Sequence, residues 1–185
     1  MGADAGVHVC DPTFESKDEV FAAHVIAEAI KKTGGGFDLI LCGKYTIDLD
    51  AGAVGPALAE FLDLPHVGAV AALEIAPDGK RFTARRRIEG AEELVECDLP
   101  TLLTIEKGLV EPRYPSLPNL MKAKKKPVTF LTAGQLPGLE ASDAGVRFES
   151  ISPPPPRPDC KFIDGEPPQM AKELIRLLRE EAKVL

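Results

Sequence analysis

The chain has 185 residues, of which 44% are hydrophobic and 28% charged, the ordinary make-up of a soluble globular protein large enough to bury a core without staples. Its formal net charge of −7 excludes nucleic-acid binding by bulk electrostatics. The longest apolar runs meet charges or glycines before membrane-spanning length, and the opening MGADAGVHV has no basic n-region or apolar h-region, so a cytoplasmic protein without membrane insertion or export signal is expected.

Residues 7–10 predict a short strand, closed by a turn at Asp11-Pro12. Ser16 and Glu19 have the S-x-x-E spacing of a capping box, which predicts a helix over about 17–32. Phe21, Val25 and Ala29 form one stripe of that helix, with Ala22, Ile26 and Ile30 beside it, and Gly34-Gly35-Gly36 stops it. Residues 37–42 are almost continuously apolar, the pattern of a parallel strand buried on both faces. Strand, helix and strand in this order predict a βαβ unit with a right-handed crossover. A polar, glycine-containing loop follows over 43–55, then a short helix over 56–62 with Pro56 as its first residue.

The character then changes. Residues 67–75 and 80–88 flank the turn Ala76-Pro77-Asp78-Gly79 and predict a hairpin; 92–97 and 102–105 predict two more strands. Residues 117–126 read as a short helix with a basic end, and 128–131 as a last core strand. The proline run 153–156, with Pro158 beyond it, predicts a stiff extended connector. It leads to an amphipathic helix over 168–185, with Met170, Leu174, Leu177, Leu178 and Leu185 on one side. The expected organisation is an α/β body over 1–132 and a C-terminal arm over 133–185.

Cys10, Cys42, Cys97 and Cys160 are scattered and form no CxxC pair, which argues against zinc ligation and dithiol chemistry. Cys10 and Cys42 sit in apolar runs and are expected to be buried structural thiols. No Ser-His-Asp or Cys-His arrangement is apparent, so no catalytic residue is assigned. Adjacent Glu92 and Glu93 face opposite sides of a strand, as Arg85, Arg86 and Arg87 alternate, and at least one arginine is expected to meet a carboxylate. The loop 43–55 follows the carboxyl end of a strand, where open parallel sheets bind ligands. Its glycines and the free N–H groups of the next helix suit a phosphate, to which Lys44 adds a cation, and Asp48 and Asp50 suit ribose hydroxyls.

Three blocks carry a resemblance. Gly43-Lys44-Tyr45-Thr46-Ile47-Asp48-Leu49-Asp50 with Val54-Gly55-Pro56, then Arg86-Arg87-Ile88-Glu89-Gly90-Ala91-Glu92-Glu93-Leu94-Val95 with Leu99-Pro100-Thr101, and lastly Glu111-Pro112-Arg113-Tyr114-Pro115-Ser116-Leu117-Pro118-Asn119-Leu120-Met121-Lys122 resemble the electron transfer flavoprotein beta subunits, in that order. The resemblance implies a Rossmann-like, mostly parallel sheet of the adenine nucleotide alpha hydrolase-like kind, with an antiparallel β excursion and a C-terminal arm ending in a helix. It implies an electron carrier rather than an enzyme. The expected partners are an alpha subunit holding the redox-active FAD, which the arm wraps, and flavin dehydrogenases. It implies an AMP, or in the electron-bifurcating branch a second FAD, held by Gly43, Lys44, Asp48, Asp50, Ala51, Gly52, Ala53, Val54 and Gly55. It also implies docking of dehydrogenases through Leu117, with Pro118, Met121, Lys122, Lys124 and Lys125 around it.

Many AMP-type members have Gln-Thr-Gly where this chain has Ala53-Val54-Gly55, and Val-Gly-Pro looks more like the bifurcating branch, although that branch usually precedes it with Thr-Ala-Gln. The family pattern also implies roughly seventy further residues ahead of Met1, about two βα units that complete the sheet and nucleotide pocket, so a truncated chain with an exposed parallel edge is expected. The reading from another class, a stand-alone adenine-nucleotide hydrolase or stress-type protein of similar topology, would require a catalytic or glycine-rich phosphate motif that the sequence lacks.

Overall fold

The structure, a computed structural model, describes residues 2–15, 17–139, 145–146, 149–157 and 159–185. The chain divides into two compact units, Met1–Phe148 and Glu149–Leu185.

The first unit opens with β1 (Gly6–Val9), followed by α1 (Glu19–Lys32) and β2 (Leu39–Gly43). Asp18 rather than Ser16 caps α1: its Oδ1 accepts the Phe21 N–H at 2.8 Å and its Oδ2 accepts the Val146 N–H at 2.9 Å. Ser16, the other half of the expected capping box, lies outside the described residues. The helix ends where anticipated, with Gly34, Gly35 and Gly36 all at positive φ after the Thr33 cap. Next come α2 (Val54–Phe61), the long β3 (His66–Ile75), β4 (Arg81–Ile88), β5 (Ala91–Asp98) and β6 (Thr101–Ile105). The exposed α3 (Leu117–Ala123) and the strand β7 (Val128–Leu131) follow. Helix α2 begins two residues before Pro56, which falls inside its first turn, where its missing N–H costs nothing.

Among the described residues the strands form two sheets, not one. β2, β6 and β3 run parallel, and β3, β4 and β5 continue antiparallel as the expected excursion, giving the order β2-β6-β3-β4-β5. β1 pairs in parallel with β7 alone. The β1–α1–β2 segment is therefore not a βαβ unit within one sheet, and β2 is an edge. The reason lies in α1, which buries two faces. Phe21, Val25 and Ala29 pack with Leu131, Leu136 and Leu139 beside β1 and β7. Ala23 and Ala27 pack with Leu58, Ala59 and Leu102 on the β2–β6 side. That second face is the alanine pair rather than Ala22 and Ile26, which are exposed.

A third cluster, Val67, Val70, Phe82, Ala84 and Leu103, fills the opposite face of the larger sheet. Edge strand β5 carries a charged ladder against β4: Arg85 to Glu92 at 3.5 Å, Arg86 to Glu93 at 3.5 Å and Arg87 to Glu92 at 3.8 Å. Inter-strand charge of this kind blunts an open edge. Cys10 is exposed, contrary to its apolar surroundings in sequence, because it follows the last paired residue of β1; Cys42 is half-buried. In the second unit, α4 (Pro167–Glu180) is laced by Arg176 to Glu173 at 2.6 Å and to Glu180 at 2.9 Å, while Lys161 pairs with Glu181 at 2.7 Å. Residues 152–157 are exposed and lie outside helix and strand; Pro158 lies outside the described residues.

Candidate functional site: a cleft at the carboxyl end of β2

β2, parallel to β6, ends at Gly43, and the chain loops over 44–53 into α2. This loop, the carboxyl end of β2 and the first turn of α1 enclose a cleft of about 230 Å³. Of the residues expected to hold a ligand, Gly43, Lys44, Ala51, Gly52, Ala53 and Val54 line it. Asp48, Asp50 and Gly55 are not among its lining residues. Cys42, Tyr45, Thr46 and Glu19 complete the wall. Glu19 comes from α1, so its presence depends on the packing of α1 against α2, which no local pattern records.

The loop turns on two residues at positive φ, Asp50 and Gly52. A β-carbon on Gly52 would stand 3.4 Å from the Lys44 carbonyl oxygen, so the loop folds back over Lys44. Asp48 stabilises the same turn: its carboxylate accepts the Leu49 N–H at 2.9 Å, and the Thr46 hydroxyl, with that N–H, holds its pKa below the ordinary value. The first turn of α2 receives no side-chain cap, since Ala53 occupies the cap position. Its N–H groups and the positive end of the helix dipole are thus available to an anion. Lys44, however, is engaged. Its Nζ lies 2.9 Å from Glu106 Oε2 at the end of β6 and 5.1 Å from the centre of the Tyr45 ring. Glu106 was not legible in the sequence, because the contact spans 62 positions.

The residues expected to dock a partner sit apart from this cleft, on α3 and its flanks. Leu117 is 72% exposed and Met121 54%. Pro118, Lys122, Lys124 and Lys125 are all exposed beside them. Lys126 differs, pairing with Asp4 at 3.1 Å. Among the described residues, no helix is long and apolar enough to cross a membrane.

Comparison with known proteins adds a sharper statement. A profile of the electron transfer flavoprotein domain matches residues 1–136. The electron transfer flavoprotein subunit beta of Bacillus subtilis (strain 168) is 41% identical over 188 residues, which cover all of this chain and 71% of that protein. The chain belongs to the electron transfer flavoprotein beta-subunit family. The beta subunits of Syntrophomonas wolfei and Sus scrofa are 35% and 34% identical, again along this whole chain and over 68% and 69% of their own lengths. The electron transfer flavoprotein match takes in both the 43–55 loop and α3, and the full-length similarity extends it through α4. The family's name describes an electron carrier, not an enzyme, and a flavin-associated one.

Proposed function

We propose that this chain is the beta half of an electron transfer flavoprotein heterodimer. It pairs with an alpha subunit that bears the redox-active FAD and helps pass electrons from flavin dehydrogenases to an acceptor. Residues 152–185 act as an arm on that partner, and α4 offers Met170, Leu174, Leu177 and Leu178 as its apolar stripe. Leu117 is the apolar anchor for visiting dehydrogenases, while Lys122, Lys124 and Lys125 steer acidic surfaces and raise the on-rate.

The cleft after β2 holds an adenine nucleotide. The observation that carries this reading is the uncapped start of α2 meeting a folded-back glycine loop at the carboxyl end of a parallel strand, the usual place for a nucleotide in such sheets. The test is to purify the chain with its alpha subunit, release bound ligands with acid and resolve them by chromatography. A stoichiometric adenine nucleotide is expected, and it should be lost in Gly52→Val, where a β-branched residue meets both a positive φ and the Lys44 carbonyl. A complex carrying the alpha-subunit flavin and nothing else would sink the assignment.

One feature favours FAD over AMP as the occupant. The positions that cap α2 are Ala53-Val54-Gly55, with no hydroxyl or amide for a monophosphate, which suits the bifurcating branch that uses NADH. The same extraction distinguishes them, by a second flavin in place of AMP.

A further inference from the structure

We propose that β2 is a self-association edge: two copies of the chain join by antiparallel pairing of their β2 strands, centred on Leu41, so that their larger sheets become one.

β2 is the outermost strand of its sheet, and among the described residues its only ladder partner is β6. The Asp38 carbonyl accepts the Thr101 N–H at 3.2 Å, and the Lys44 N–H donates to the Ile105 carbonyl at 3.2 Å, so the even-numbered residues turn their backbone groups towards β6. By alternation, the N–H and C=O groups of Leu39, Leu41 and Gly43 point out of the sheet at its open edge. Within Leu39–Gly43 there is no charge and no proline, the usual guards of such an edge. The opposite edge is different. β5 carries Glu92, Glu93, Glu96 and Asp98 and no base, so two copies of it repel each other.

The occupant is a second copy because the β2 edge is complementary to itself. Antiparallel pairing about Leu41 sets Leu39 opposite Gly43 of the second copy, Ile40 opposite Cys42 and Leu41 opposite Leu41. Every outward backbone group of Leu39, Leu41 and Gly43 then gains a hydrogen-bond partner. Carried one residue further, the same count brings Asp38 to Lys44 of the second copy, and two residues further it brings Phe37 to Tyr45. The two-fold axis repeats each of these contacts. Asp38 is exposed, and the Lys44 side chain remains 40% exposed although Glu106 holds it from one side. Phe37 and Leu41 are each 54% exposed and Tyr45 50%; by alternation they share one face of the sheet and would cover one another. An in-register parallel pairing would instead set Asp38 against Asp38 and Lys44 against Lys44.

Sedimentation velocity of the full chain across a concentration series, alone and with its alpha subunit, tests the proposal. Wild type should move from 19.8 kDa towards twice that mass as concentration rises, and the complex should double likewise. Leu41→Lys sets two ammonium groups face to face and should stay monomeric. Asp38→Lys, at an exposed side chain, turns two attractive pairs into repulsive ones. It should raise the dissociation constant about tenfold, and it carries the test if Leu41→Lys does not fold. Oxidative cross-linking reads the register. In a chain with the exposed Cys10 and Cys160 replaced by serine, Leu41→Cys should give a disulfide-linked dimer, because that residue faces itself at a Cα spacing of about 5.5 Å, which a disulfide spans. Leu39→Cys faces Gly43 and should not cross-link. A wild type that stays monomeric, a dimer indifferent to both lysine substitutions, or equal cross-linking at positions 39 and 41 would overturn the proposal. So would a dimer that disappears when the alpha subunit binds, which would give the β2 edge to that partner instead.

Discussion

His66 opens β3 with its Nε2 buried and, among the described residues, without a hydrogen-bond partner. Burial pushes its pKa below the ordinary 6.5, and the nearby charge of Arg86 pushes the same way. The unfolded chain therefore takes up this proton before the folded chain does as pH falls. The contribution to stability is complete above 6.5 and is lost as pH drops from there through the folded value. Thermal midpoints measured across that window should decline for wild type and stay flat for His66→Gln; equal slopes would mean that another group titrates there. Glu106 obeys the same logic in a lower window, since Lys44 holds its pKa below 4.5. None of this was visible in the sequence, where His66 is simply a histidine after a proline. Desolvation is a property of the neighbours, and those come from β4 and β6.

At the level of elements, the seating of α2 on β6 depends on Gly55. A β-carbon there would overlap the methyl of Thr104, which is buried and whose hydroxyl oxygen accepts the Ala69 N–H at 3.1 Å. Gly55→Ala should cost about 1–3 kcal/mol by overpacking, read as a lower denaturation midpoint. Thr104→Ser in the same chain removes the clashing methyl, keeps the hydroxyl and should restore most of the loss. Recovery failing to appear would locate the strain elsewhere. Most elements were legible from periodicity, including the parallel character of β2, the hairpin after it and β7. The glycine stop of α1 was legible because a run of three glycines has few other uses. The partition of strands between sheets was not. Continuous apolarity predicted a strand covered on both faces, but β2 is a sheet edge whose Leu41 is 54% exposed, and the pattern does not say which strand lies beside it. The two faces of α1, one aromatic and branched, the other alanine, decide that instead.

On the scale of the whole molecule, two surfaces stand apart on the first unit: the cleft after β2 and the exposed α3 with Leu117. Leu117→Asp should leave the unfolding free energy within about 0.5 kcal/mol of wild type, because the side chain already faces solvent. Electron transfer from dehydrogenases to the assembled flavoprotein should nevertheless fall sharply, and a variant as active as wild type would remove Leu117 from the docking surface. The sequence by itself determined the family, the order of the elements and the loop 43–55, because these are written in local runs of apolar residues, glycines and prolines whose conformational preferences act within a few positions. Only the tertiary structure decided that Asp18 caps α1, that Glu19 walls the cleft and that Glu106 captures Lys44. The first is a local cap that gains a second, distant bond to Val146; the other two join residues that the chain itself keeps far apart and that packing brings together.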